Sequence, residues 1–170
     1  MLALLLVLAI GVLLIYAASR PKVMAVQRSA LIQAPAEKIH PLINDLHRFN
    51  AWNPYEKKDP AIKGSYRGPA SGPGAGDDFE GNKDVGKGSI QITSTAAPGR
   101  VTMELHMIEP MEVRNTIDFT LAPRGEATEV TWAMHGPSPF IARLAGVFFD
   151  MVRMIGRDFE AGLANLKSMD

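Results

Sequence analysis

The spacing of apolar positions along this chain passes from unbroken, to every second residue, to every third or fourth. The unbroken part comes first. Leu2 to Ala18 reads LALLLVLAIGVLLIYAA and carries no charged side chain. As a helix rising ~1.5 Å per residue it reaches roughly 25 Å, the lower limit for crossing the hydrocarbon core of a bilayer. It has no polar face with which to sit half-buried on a soluble core. Tyr16 stands where an interfacial aromatic would, and Arg20, Pro21 and Lys22 close the segment. The pattern predicts an uncleaved single-pass membrane anchor over residues 1–20. The competing reading is a signal peptide with Ala17-Ala18-Ser19 as its cleavage site, although no basic n-region precedes the apolar run. Arg20, Lys22 and Arg28 on the far side of the anchor predict that the rest of the chain faces the cytoplasm.

Val23 to Gln33 is rich in β-formers and predicts a strand. Pro35, Ala36 and Glu37 then open a helix, with Ile39, Leu42, Ile43 and Leu46 at helical spacing. Pro41 inside that run predicts a kink or two short helices. Phe49 to Pro60 carries turn signals at Asn53-Pro54 and Asp59-Pro60. Residues 64–88 hold eight glycines. Ile62–Arg67 and Ala75–Glu80 predict short strands around Gly72-Pro73-Gly74, with a flexible linker as the alternative. Four clearer strands follow: Ser89–Thr95, Arg100–Ile108, Met111–Leu121 and Ala127–His135. The third alternates cleanly, setting Met111, Val113, Asn115, Ile117, Phe119 and Leu121 against Glu112, Arg114, Thr116, Asp118 and Thr120. Such alternation marks a half-buried antiparallel strand. From Pro139 to Lys167 one long helix is expected. Its apolar stripe runs through Phe140, Leu144, Val147, Phe148, Met151, Ile155, Phe159, Leu163 and Leu166, with Asp150–Arg153 and Arg157–Glu160 as surface pairs. One apolar sheet face and one apolar helix stripe are both buried if a curved antiparallel sheet of about six to seven strands wraps the helix. The expectation is a single α+β domain over 22–170.

Several segments resemble the polyketide cyclase/START-like (SRPBCC) family. They are VQRSALIQAPAEKI (26–39), FNAWNPY (49–55), FEGNKDVGKG (79–88), NTIDFTL (115–121), TEVTWAMHG (128–136) and DFEAGLANLK (158–167). The resemblance covers nearly everything after residue 22. It implies the helix-grip (START/Bet v1-like) fold and a deep cavity between sheet and C-terminal helix. Members include lipid carriers, hormone-binding proteins, aromatic cyclases, oxygenase subunits and chaperone co-factors. No shared catalytic motif comes with the fold, so no catalytic residue is carried over. On this footing Trp52, Phe79, Met103, Leu105, Asn115, Ile117, Phe119, Trp132, Met134, Phe148, Met151 and Ile155 are expected to line the cavity.

Composition narrows the chemistry. Lys+Arg and Asp+Glu are both 18, so the formal charge is zero and the basic footprint of nucleic-acid binding is missing. The chain has no cysteine, which excludes disulfides, thiolate catalysis and Cys-ligated zinc. His40, His47, His106 and His135 show no metal-ligand spacing, and neither metal nor cofactor is expected. Gly81 to Gly88 (GNKDVGKG) nearly spells a phosphate-binding loop. It has Gly88 in place of the magnesium-binding hydroxyl and runs into a strand, so it reads as a hairpin turn. Asn115 interrupts an apolar strand face, and a buried amide must find a partner. It either bonds backbone or turns into the cavity to orient a ligand, with Glu80 and His135 as lesser candidates for that role. Nine Met residues suit an adaptable apolar interior. Three functions stay open: a tethered binding module for a hydrophobic small molecule or lipid, a cyclase- or hydrolase-type enzyme using the same cavity, and a protein-interaction module.

Overall fold

The half-buried strand that alternates so cleanly, Val113–Arg124, is an interior strand of a seven-stranded antiparallel sheet. In the computed structural model, which describes residues 1–169, the chain begins with α1 (Leu2–Ser19) and β1 (Val23–Ile32). Three short helices follow: α2 (Ala36–Asn44), α3 (Leu46–Trp52) and α4 (Pro54–Lys58). Then come β2 (Lys63–Arg67), β3 (Gly76–Glu80), β4 (Lys87–Ala96), β5 (Arg100–Glu109), β6 (Val113–Arg124) and β7 (Ala127–Pro137). The chain closes with α5 (Phe140–Ala145) and α6 (Met151–Lys167). The sheet order is β1-β7-β6-β5-β4-β3-β2, so only the return of β1 beside β7 departs from a simple meander.

The register aligns inward side chains in rows that cross the sheet. One row, Val101–Phe119–Trp132, packs beneath the helices. The next runs Ile92–Met103–Ile117–Met134–Val26. Beyond it lies Asp77–Ile90–Leu105–Asn115, and last Phe79–Gly88–Met107–Val113. The first two rows are buried, while Leu105, Met107, Val113 and Phe79 are only half-buried. The apolar face therefore opens from a packed core at one end to an unfilled hollow at the other. The outward face carries polar pairs, such as Arg100–Asp118 at 2.7 Å and Arg114–Glu104 at 2.6 Å.

At the packed end, α6 lays Phe159, Leu163 and Leu166 on the sheet. Phe159 stacks on Trp132 with ring centroids 4.1 Å apart. Trp52 meets Phe49, Phe119 and Trp132 edge-on, and its indole N–H donates to the Leu42 carbonyl at 2.9 Å.

The C-terminal part of the chain departs from the sequence expectation. The long C-terminal helix is broken: α5 ends at Ala145 and α6 starts at Met151. Asp150 forms no charge pair with Arg153. It caps α6 instead, accepting from the Arg153 backbone N–H at 3.0 Å and satisfying an orphan donor of the first turn. The apolar stripe does not continue through the break, and Phe140 and Phe148 are exposed. Glu160 pairs with Arg28 of β1 at 2.7 Å rather than with Arg157. At Pro41 both expected outcomes occur in part. α2 runs through the proline, and a separate α3 follows, capped by the Asp45 side chain.

Candidate functional site

The hollow between the outer rows of the sheet and the underside of α6 is a cavity of about 1040 Å³. Its floor is the sheet: Phe79, Ile90, Leu105, Met107, Val113, Asn115, Ile117 and Met134. Met151, Met154, Ile155 and Phe159 of α6 form the roof, and Tyr55, Glu56 and Lys58 of α4 close one side. Met24, Pro139 and Phe149 border the other end.

Of the residues expected on the wall, Phe79, Leu105, Asn115, Ile117, Trp132, Met134, Met151 and Ile155 line the cavity. Trp52, Met103 and Phe119 do not. They sit in the packed rows, where α3 and the C-terminal half of α6 already cover the sheet and leave no void. Phe148 is off the wall as well, because the helix break turns it into solvent while its neighbour Phe149 borders the cavity. Glu80 is exposed and pairs with Lys87 at 3.4 Å, and His135 lies on the outward face of β7, so neither contributes to the wall.

Four polar atoms of residues on this wall are buried without a hydrogen-bond partner: Asn115 Oδ1, Trp132 Nε1, Asp77 Oδ1 and Arg143 Nε. The Asn115 oxygen bonds no backbone group, and it lies against Gly136, where any Cβ would run into the amide. Sequence reasoning missed Asp77. It stands at inward parity with Phe79 in β3, is only 3 % exposed, and its Oδ2 accepts from Asn50 Nδ2 at 2.9 Å. The signal was the acid at an inward position of GDDFE, but five residues beside glycines are too few to fix a strand's parity.

Around Asp77 the cavity wall is acidic. Burial holds the Asp77 carboxyl above its ordinary range, while Asn50 and the nearby Ser65 amide favour the charged form. The Ser65 N–H makes no proper hydrogen bond to Oδ1. Glu56 is also raised, first by burial and then by the charges of Asp77 and Asp59. The Tyr55 phenol is pushed up by burial and by Asp158, keeping it protonated. Asp158 itself is held by Lys58 at 2.8 Å.

The opposite end joins the N-terminal helix. Arg143 of α5 donates to the carbonyls of Ala18 and Arg20 at 2.9 and 3.3 Å, and Arg20 donates to the Gly146 carbonyl. These bonds fasten the end of α1 to the helix break. There Phe148, Phe149, Met151, Val152 and Met154 are exposed.

A family model described as polyketide cyclase / dehydrase and lipid transport matches residues 24–169. The chain belongs to this family. Among solved structures it is similar to protein MLL2253 from Mesorhizobium loti, at 14 % identity and TM-score 0.62, with 85 % of this chain and 95 % of that one covered. It is similar to the Aha1 dimer from Colwellia psychrerythraea at 17 % identity and TM-score 0.59, covering 85 % and 93 %. Ara h 8.0201 superposes at 13 % identity and TM-score 0.57, covering 86 % and 99 %. At these identities the likeness shows the helix-grip fold alone. No curated protein matches the sequence.

Proposed function

We propose that this domain holds a hydrophobic small molecule or lipid between its sheet and α6 while α1 anchors it in a membrane. The observation that carries the reading is the cavity itself: about 1040 Å³, walled mainly by Leu, Ile, Met and Phe side chains. That volume is at the upper end of the range for small-molecule sites. Each methylene moved from water into it contributes ~0.8 kcal/mol, so a ligand chain of modest length suffices for tight binding. The family's description includes lipid transport, which agrees with a carrier. Membrane anchorage is supported by α1, which has a single buried residue, Ala17, and no charge within it. Its attachment to the α5–α6 break sets the exposed Phe and Met side chains and one end of the cavity beside the anchor, within reach of a bilayer-derived ligand.

Filling the cavity tests the reading. Leu105→Trp puts an indole into the middle of the floor while its strand partners Ile90 and Asn115 stay in place. Uptake of an apolar probe such as tetradecane, read by native mass spectrometry, is expected to fall at least tenfold with the fold retained by circular dichroism. Undiminished uptake in that variant would place the ligand elsewhere.

A second reading, catalysis of the cyclase or dehydrase type, draws on one observation. Asp77 and Glu56 are carboxyls held above their ordinary range on the wall of an apolar cavity, where a general acid or base would be placed.

A further inference from the structure

We propose that the Asp77 end of the cavity selects ligands by their head group, accepting an apolar molecule that ends in a hydrogen-bond donor (hydroxyl or amine) and rejecting one that ends in a carboxylate. This rests on the reading of the cavity as a ligand site and names the ligand's chemistry.

Asp77 is 97 % withdrawn from solvent, being 3 % exposed, and one carboxylate oxygen has a partner while the other has none. A buried acceptor without a donor is costly, and such groups are rare in folded proteins. The one protein side chain that bonds it is neutral. Asn50 is turned so that its amide nitrogen faces Asp77 and the Tyr66 hydroxyl, at 2.9 and 3.0 Å, while its oxygen accepts from Asn53 at 3.2 Å. Among the described residues no cation forms an ion pair with Asp77, although His47, stacked on Tyr66, is close enough to favour its charged form. Lys58 pairs with Asp158, Arg67 with Asp78 and Lys87 with Glu80. Lys83 borders the cavity on the β3–β4 hairpin but makes no ion pair with Asp77. Glu56 adds a second carboxyl to the same wall. Beside Asp77 in its row stand Ile90 and Leu105, which offer only apolar contact. The cavity wall therefore carries a buried, unpartnered acceptor with negative potential. A hydroxyl donates to Oδ1, an ammonium donates and neutralises it, and a carboxylate placed there meets like charge.

The test uses the full chain in detergent, offered an equimolar mixture of dodecanol, dodecylamine, dodecanoate and tetradecane, with bound masses read by native mass spectrometry. The two donor-headed compounds are expected to exceed dodecanoate by about tenfold, the ratio one hydrogen bond to a charged group supplies. D77N keeps the bond from Asn50 but turns the open acceptor into a donor. It is expected to bring the ratio to one or below while tetradecane uptake is unchanged. Equal uptake of the three heads by the native chain, or an undisturbed ratio in D77N, overturns the proposal and leaves the cavity reading standing. Failure of every compound, tetradecane included, overturns both. The ratio of dodecanol to dodecylamine separates a neutral from a cationic head.

Discussion

His40 is a buried titratable side chain on α2, away from the cavity, with its Nε2 3.0 Å from the Thr95 hydroxyl. Burial pushes its pKa below the ordinary 6.5, with a backbone hydrogen bond at Arg100 pulling weakly the other way. The unfolded chain then binds the proton more readily than the folded one. Stability is whole above about pH 6.5 and is lost as the pH falls through that value toward the lowered one. The urea midpoint of the native chain is expected to drop between pH 7.5 and 5.5 by more than that of His40→Gln, which keeps a partner for Thr95 and cannot charge. Parallel losses in the two proteins would move the pH dependence to other groups. The residue scale also shows what a sequence can disclose. Asn115 was legible as a candidate because it breaks an alternation that runs through eleven residues. Asp77 was hidden, since its strand is five residues long and its neighbours on either side are glycine and aspartate. Burial of a single acid in a short strand is a tertiary fact, decided when β3 docks between β2 and β4.

Among the elements, α6 bears most on the site, because the same helix seals the core with one half and roofs the cavity with the other. Gly162 marks the close approach. A Cβ there would stand 2.6 Å from Trp132 Cζ3 and 3.0 Å from Pro54 Cδ. Gly162→Ala is expected to destabilise the domain by about 1–2 kcal/mol in denaturant unfolding, the cost of overpacking exceeding the ~1 kcal/mol that alanine gains in helix propensity. A stabilised variant would mean that α6 rests on the sheet less tightly than this contact requires. The strands and the C-terminal half of α6 were legible because period-two and period-3.6 patterns persist there over many residues. The break at 146–150 was not. Apolar Val147, Phe148 and Met151 carry the helical spacing across it, so periodicity continues where the backbone does not. One local cap and two distant ties end α5 and restart α6: the Asp150 cap satisfies a free N–H, and the Arg20 and Arg143 side chains pin the break to the end of α1. Interactions between segments more than a hundred residues apart leave no mark on a window of sequence.

At the scale of the whole molecule, packing is uneven by construction. Rows of Trp, Phe, Ile and Met fill one end of the sheet, and the other end is left open beneath a helix that begins only at Met151. An apolar hollow of this size in contact with water is an unfavourable way to leave a core unless something apolar occupies it. The end of α1 and the exposed Phe and Met side chains at the break lie at one end of that hollow, and the Asp77 cluster lies on its wall. That arrangement suits an elongated molecule with an apolar body and a polar head. The most direct test is to purify the full chain from membranes and record its mass under native conditions before and after solvent extraction. A discrete excess mass, lost on extraction and recovered as a lipid or other hydrophobic compound, is the predicted result. A mass equal to that of the bare chain, unchanged after exposure to membrane lipid extract, would contradict the account.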